Sequence, residues 1–323
     1  MESLFIQKIS HQQDALPLQI LIEATYIEGI KLNAPKLILN FADQDNDIAD
    51  TFKVTCGSEL IVTMGDVGYE QGDSFTESFI VISPPKKVGD TVLVEALQKD
   101  VYQLKQHLNR PQFFIDKSPS QILKALVPDK EIKVLGVTGR GTFHIHNSVT
   151  PSVMLEQMAK ELGAVVFYSR GAFYVVSYSY LERQQVALKY EYNNPQAENI
   201  IFGITTPFSN NLLQRHTVKD YQMWDENEGI VKSGAPALRQ SICNLGKDRL
   251  NTLNVLMLPI MISHCRGTTA ITPTTKIEFT LHRFNEEFLI NDSIPEQQIA
   301  MEIKHHQAGY KYICQITTGV ISE

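Results

Sequence analysis

The sequence has no run of about 20 apolar residues, the length that a transmembrane helix requires. Its first ten residues, MESLFIQKIS, have neither the basic start nor the apolar stretch of a secretory signal peptide. Both absences predict a chain without a membrane segment that is made and folded in the cytoplasm.

Basic residues are few. The chain has 29 Lys and Arg against 36 Asp and Glu, which gives a formal net charge of -7. A protein that grips nucleic acid through its phosphates carries a surplus of basic side chains. We therefore expect that any DNA that meets this protein passes it without specific binding.

Cysteine is scarce and scattered, at Cys56, Cys243, Cys265 and Cys314. Because no two form a C-x-x-C pair, the sequence predicts buried, reduced thiols rather than a zinc site or a disulfide framework. His144 and His146 would share one face of a strand, but two imidazoles without a nearby carboxylate or thiolate are too few ligands for a metal. His305 and His306 would point to opposite faces of a strand, and we expect them at a surface or an interface.

Signatures of catalysis are also missing. There is no G-x-S-x-G or H-E-x-x-H motif, and the segment 136–141 lacks the Gly-Lys-Ser/Thr ending of a phosphate-binding loop. Asp43, Asp45 and Asp47 alternate as in a calcium loop, but the glycine and distal glutamate of such a loop are out of register, so a solvated turn is expected. We assign no catalytic, cofactor-binding or metal-binding residue and no cofactor, and predict that the chain is not an enzyme.

Short strands are what the sequence has in abundance. Its 323 residues are more than a single hydrophobic core usually supports, so two or three domains are expected. Alternating apolar runs broken by turn residues predict an antiparallel sheet or small barrel, with strands at 18–22, 36–40, 59–63 and 78–82. The prolines at Ser83–Pro85 then mark a boundary. The next segment, 91–108, fits both a strand and a helix, and both readings stay open.

Two helix starts follow. Ser118 precedes Pro119 and stands three residues before Gln121, which predicts a capped helix that ends at Pro128. A second helix is predicted from Thr150 to Gly163, followed by two apolar strands at 164–168 and 172–176 that are joined by a tight turn. A helix packed on a hairpin is therefore expected in the middle of the chain.

The chain then turns polar. From residue 181 onward we expect a loop-rich, partly exposed region that includes Trp224, the single tryptophan, and a helix at 238–254. Strands return at 257–262, 276–281 and 310–316, which predicts a second barrel-like unit.

Several of these segments together resemble the bacteriophage baseplate and tail hub family, which includes the late control D-like and Mu-like hub proteins. That family is itself similar to the N-terminal part of type VI secretion spike proteins. The likeness lies in the capped helix, the second helix and the hairpin between Phe113 and Val176, and in the closing segments Thr272–Phe279 and Met301–Ile316. It covers roughly half of the chain.

The resemblance implies an α+β, mainly β fold with two related β-barrel domains and a small helix-plus-hairpin α/β domain between them. The expected domains are residues 1–90 (first barrel, near the tail tube), 91–182 (helix and hairpin) and 183–323 (second barrel with the polar insertion). It also implies a structural hub of a contractile tail: a homotrimer whose six barrels form a ring between a sixfold tube and a threefold spike, and through which DNA leaves.

The expected partners are the tail tube protein above, a separate spike protein below and other baseplate proteins around the ring. The expected location is the virion, after synthesis and assembly in the host cytoplasm. Two alternatives stay open, a tail-tip peptidoglycan hydrolase and a carbohydrate-binding tail module. A hydrolase would show a cleft with carboxylates of shifted pKa, whereas a binding module would present exposed aromatic side chains.

Overall fold

A computed structural model describes residues 5–12, 14–66, 74–207, 220–233, 239–241, 250–282 and 294–322. Five helices lie in these ranges: α1 (Asp47–Asp50), α2 (Lys99–Leu104), α3 (Pro119–Leu126), α4 (Pro151–Glu161) and α5 (Tyr178–Arg183). Single 3-10 turns lie at Leu18–Ile20 and Asn251–Asn254.

Strands make up most of the described structure, which confirms the mainly β, α+β fold class. They are β1 (Ile6–His11), β2 (Asp14–Ala15), β3 (Leu21–Gly29), β4 (Lys36–Ala42), β5 (Glu59–Gly65), β6 (Ser74–Val81), β7 (Lys86–Val88), β8 (Thr91–Gln98), β9 (Gln112–Lys117), β10 (Glu131–Leu135), β11 (Gly141–Ile145), β12 (Ala164–Ser169), β13 (Ala172–Ser177), β14 (Leu188–Tyr192), β15 (Ile200–Thr205), β16 (Asp220–Asp225), β17 (Gly229–Ser233), β18 (Arg239–Ser241), β19 (Met257–Arg266), β20 (Lys276–Leu281), β21 (Gln297–Ala308) and β22 (Lys311–Ile321).

The first module is a sheet of six long strands in the order β1-β5-β6-β8-β4-β3, with the short strands β2 and β7 at its margins. Alternation in the sequence sets its faces: in β4, Leu37, Leu39 and Phe41 are buried while the residues between them are not. In the described residues no backbone pairing joins β1 to β3, so this sheet is not closed on itself.

The second module is a closed barrel of six strands in the order β21-β20-β14-β15-β19-β22, in which β22 pairs again with β21. The seam between β14 and β15 is short, because only Glu191 and Tyr192 are in register with Ile200 and Ile201. The inward residues of both modules belong to one continuous hydrophobic cluster.

The two modules share one strand order. Numbered in chain order, the long strands of the first module are β1, β3, β4, β5, β6 and β8, and those of the second are β14, β15, β19, β20, β21 and β22. In both modules the third strand lies between the second and the sixth, and the fourth lies between the first and the fifth. Their first strands differ in direction, since β1 is antiparallel to β5 whereas β14 is parallel to β20.

Among the strands that the structure describes, one pair joins the modules. The edge of β3 that would close the first sheet instead pairs antiparallel with β21, from Gly29 opposite Glu302 to Glu23 opposite Ala308. Strand β21 therefore serves both modules, with its start on β20 and its end on β3. The result is one sheet that runs through both modules.

The middle unit contains α2 to α5 and β9 to β13. The three-stranded sheet β10-β13-β12 packs against α4, and β9 and β11 form a separate ribbon. As predicted, Ser118 and Gln121 form a capping box at the start of α3, and β12 and β13 form a hairpin after α4. Between 91 and 108 the chain forms both predicted elements, first β8 and then α2.

Some local predictions were wrong. Residues 18–20 form a 3-10 turn after Pro17, so the strand predicted at 18 begins at Leu21. In the polar region Trp224 is exposed, as expected, but it lies in β16 of a small sheet ordered β17-β16-β18 rather than in a loop. The helix predicted at 238–254 falls mostly outside the described residues, and residues 239–241 are a strand. The division into domains at residues 90 and 182 stays a prediction, although β8 (91–98) pairs within the first sheet.

Candidate assembly site

A buried ion pair lies where the two modules and the middle unit meet. Glu28 of β3 is fully buried, and its carboxylate accepts hydrogen bonds from Arg170 (2.8 Å) and Ser169 (2.9 Å), both at the tip of the β12–β13 hairpin. The third partner is His305 of β21, whose Nε2 lies 3.0 Å from the same carboxylate. We call these residues the junction cluster: Glu28, Ser169, Arg170 and His305.

Arg170 connects the middle unit to both modules. Besides Glu28 of the first module, its guanidinium donates to the carbonyl oxygens of Thr269 (2.6 Å) and Ile271 (3.1 Å) in the loop before β20. The same group lies 5.0 Å from the centre of the Phe75 ring in β6. A planar cation with several fixed donors can satisfy a carboxylate and two carbonyls at once, so this one side chain fixes three parts of the chain relative to one another.

The charges in the junction cluster are mutually stabilised. Burial raises the pKa of Glu28, but Arg170 and His305 outweigh burial and lower it to about 2. Burial lowers the pKa of His305, but the Cys314 sulfur and the Glu28 carboxylate outweigh burial and raise it to about 9. At neutral pH the cluster therefore holds one carboxylate and two cations in the interior, where each would be costly alone.

Aromatic rings surround His305. The Phe5 ring stacks on it at 5.0 Å between centroids, and Tyr26 lies at 5.8 Å. The Tyr312 hydroxyl lies 2.8 Å from Nδ1 of His305. In addition, the side chain of Gln307 accepts a hydrogen bond of 2.8 Å from the amide of Ile6, so the start of β1 is attached to β21 by side chains rather than by a backbone ladder.

A second buried carboxylate lies on the other side of the same hairpin tip. Glu77 of β6 accepts a hydrogen bond of 2.6 Å from the hydroxyl of Tyr168, which in turn accepts one of 3.1 Å from the amide of Gly171. Burial raises the pKa of Glu77, an effect that this hydrogen bond opposes. The hairpin tip thus contacts the first module at two carboxylates, which fixes its position.

Stability should fall at alkaline pH, because His305 must stay protonated in the folded chain. Its folded pKa of about 9 lies above the ordinary 6.5, so its contribution is fully present below pH 6.5 and is lost as the pH rises through 9. Thermal unfolding midpoints measured from pH 6 to pH 10 should decline above pH 6.5. The His305→Gln variant should be less stable at pH 6 and decline less over this range, and a parallel decline in both proteins would contradict the assignment.

Most of the residues that the sequence offered as candidate ligands have structural roles. His305 is fully buried, so the expectation of a surface or interface position was wrong for it, because a carboxylate and a tyrosine satisfy its ring inside the sheet. His306 is partly buried and contacts Thr25. Asp43 is also buried rather than solvated, since its carboxylate accepts hydrogen bonds from the backbone amides of Asp47 and Ile48 at the start of α1.

The remaining candidates form no recognisable ligand site. The rings of His144 and His146 lie 5.9 Å apart, and no group of three or more His, Cys, Asp or Glu in the described ranges could hold a metal ion. Cys265 and Cys314 are free and buried as expected, Cys56 is free but exposed, and Cys243 lies outside the described residues. No helix among the described residues is long and apolar enough to span a membrane.

Sequence reasoning missed the junction cluster, although one signal was present. In β3 every second residue from Ala24 onward is buried, and Glu28 occupies one of these inward positions. A carboxylate at an inward position of a strand is costly to bury unless it is paired with a cation or hydrogen-bonded. Nothing in the sequence shows that this cation is Arg170, which lies 142 positions away in a segment recognised only as a turn.

The fold is shared with bacteriophage tail proteins over nearly the full chain. The chain is similar to the 43 kDa tail protein of prophage MuSo2 from Shewanella oneidensis, with a TM-score of 0.60, 11% identity and coverage of 98% of this chain and 97% of that one. It is also similar to a tail protein from Neisseria meningitidis MC58, with a TM-score of 0.62, 9% identity and coverage of 98% and 96%.

A third similar structure is E. coli c3393, a component of the type VI secretion system that exhibits structural similarity to the T4 bacteriophage tail proteins gp27 and gp5. Its TM-score is 0.55 at 8% identity, with coverage of 98% of this chain and 78% of that one. No protein-family model matches the sequence, and no curated protein sequence matches it. At such low identities the likeness establishes the fold, and function has to be argued from the features of this chain.

Proposed function

We propose that this chain is a structural hub subunit of a contractile phage tail baseplate, in which three copies form a ring between a sixfold tail tube and a threefold spike. The observation that carries the proposal is the repeated strand order of the two modules, in a chain whose whole fold is shared with tail proteins. A trimer of such chains presents six similar modules. It can therefore bind a sixfold partner on one side and a threefold partner on the other.

Ring closure needs a fixed angle between the two modules, because a small error at each of several contacts would accumulate into an open helix. The β3–β21 ladder joins the modules through backbone hydrogen bonds, and the junction cluster holds the hairpin tip against both. A buried ion pair contributes little net stability compared with apolar packing, but it accepts only a narrow range of geometries. A buried ion pair therefore suits this junction, where the relative orientation of the modules matters more than the stability of the contact.

The proposed partners follow from the ring. Tube subunits would add to strands at the rim by extending a sheet, a mode of binding that relies on backbone groups. The spike is proposed as a separate protein below the ring, with other baseplate proteins around it, and the location is the virion tail. The net charge of -7 favours passage of DNA through the lumen without binding, because acidic walls repel phosphates.

The proposal is tested by the mass of the purified chain in solution, alone and with the tube and spike proteins of the same phage. We expect three times the mass of the single chain and rings in electron micrographs, with bound tube protein on one face. A chain that stays monomeric and binds neither partner would overturn the proposal. Release of peptidoglycan fragments by the same preparation would favour the hydrolase, and retention on glycan resins would favour the carbohydrate-binding module.

A further inference from the structure

The two modules differ most in the connection between their second and third strands. In the first module, residues 30–35 link β3 to β4. In the second module, residues 206–256 link β15 to β19 and include β16, β17 and β18. Since the first module shows that a short link is enough for this strand order, the long link is an addition that the sheet does not need. We call the three-stranded sheet β16–β18 the arm.

The inner face of the arm is packed. Tyr221 and Met223 of β16 are buried and form a small hydrophobic cluster with Leu250 and Leu253. The ammonium group of Lys160 in α4 lies 5.9 Å from the centre of the Tyr221 ring. One side of the arm sheet is therefore buried, and Tyr221 on that side lies near α4 of the middle unit.

The outer face presents a pair of large apolar side chains. Trp224 and Ile230 lie directly opposite each other on β16 and β17, and 69% and 63% of their surfaces are exposed. Both stand beside the turn that joins the two strands, and the acidic residues there are Asp225 at the end of β16 and Glu226 and Glu228 in the turn. An exposed tryptophan beside an aliphatic side chain, bordered by carboxylates, fits a partner surface that has an apolar pocket with basic residues at its rim.

Symmetry selects the partner. Within the described ranges each chain has one arm and two modules, so a ring of three chains carries six modules and three arms. A sixfold tube could contact such an element on only three of its six subunits, whereas a threefold partner can bind all three arms in the same way. We propose, on the basis of the proposed function, that the arm is the contact of the hub with its threefold partner, the spike protein, through Trp224 and Ile230.

The test measures binding of the spike protein to the assembled trimer for the wild type and the double variant Trp224→Ala/Ile230→Ala. Loss of a central aromatic anchor should weaken spike binding by at least about tenfold, while the mass of the trimer and tube binding stay as in the wild type. The Glu226→Lys variant should weaken spike binding at low salt and much less at high salt, because rim charges act mainly through screened attraction.

Tyr310→Ala is the matched control, because Tyr310 is an aromatic residue that is 66% exposed in the turn between β21 and β22, outside the arm. We expect this variant to bind the spike as the wild type does. If the double variant trimerises and binds the spike with unchanged affinity, the assignment of the arm is wrong and the hub function stands. If the wild type fails to form a trimer or to bind the spike, the proposed function itself fails.

Discussion

Replacing Arg170 with methionine should lower the free energy of unfolding by about 3 kcal/mol, since breaking a buried ion pair on one side leaves a charge in the interior. The variant loses donors to the Glu28 carboxylate and to the carbonyls of Thr269 and Ile271. His305 and Ser169 still contact Glu28, which limits the loss to the lower end of the range for such changes. Urea unfolding followed by circular dichroism measures the effect.

Two further variants separate charge from geometry at the same position. Arg170→Lys keeps the positive charge but not the planar set of donors, so we expect an intermediate loss of stability. In the double variant Glu28→Gln/Arg170→Met the buried carboxylate is gone, and the unfolding midpoint should recover part of the way toward the wild type. If Arg170→Met changes the unfolding free energy by less than about 0.5 kcal/mol, within the ordinary range of surface substitutions, the junction cluster does not fix the modules.

Replacing Gly319 with alanine should destabilise the barrel by about 3 kcal/mol, at the upper end of the range for overpacked cores. A methyl group at Gly319 would collide with the carbonyl group of Leu258 and would lie 2.6 Å from the sulfur of Met301. Because Leu258 is paired with β22 in the ladder between β19 and β22, its main chain cannot move aside without loss of that pairing.

Gly203→Ala provides the control in the same barrel. The nearest atom to a methyl group there would be a ring carbon of His264 at 3.5 Å, which is an ordinary contact. We expect the control to change the unfolding free energy by less than about 1 kcal/mol, since alanine also loses less conformational entropy than glycine on folding. Equal effects of the two substitutions in thermal unfolding would show that the close approach at Gly319 is not maintained in solution.

The sequence predicts the local features that depend on residues close together in the chain. The capping box of α3 and the hairpin after α4 depend on contacts within a few positions, and the structure confirms both. Strands β4, β5, β6, β19, β20 and β22 also lie where alternation placed them, whereas alternation predicted no strand at β1, β14 or β15. At 18–20 alternation misled, because it cannot distinguish a strand from a 3-10 turn that begins after a proline.

The sequence does not predict how these elements are joined. Whether the edge of β3 pairs with β1 or with β21 depends on the relative free energies of two distant contacts, and alternation is the same in both cases. The shared strand order of the modules is equally hidden, since two sheets can have one topology with unrelated residues. The sequence does not predict the junction cluster either, because its members come from three separate parts of the chain.

The ladder between β3 and β21 also sets an order of events during synthesis. Glu28 and His305 are 277 positions apart, so at ribosomal rates of about 5–20 residues per second β21 follows β3 by roughly 15 to 60 s. Through that interval the first sheet has an unpaired edge, which is the feature that makes nascent β proteins prone to wrong pairing and aggregation. The first sheet therefore cannot pair this edge with its native partner until β21 has left the ribosome.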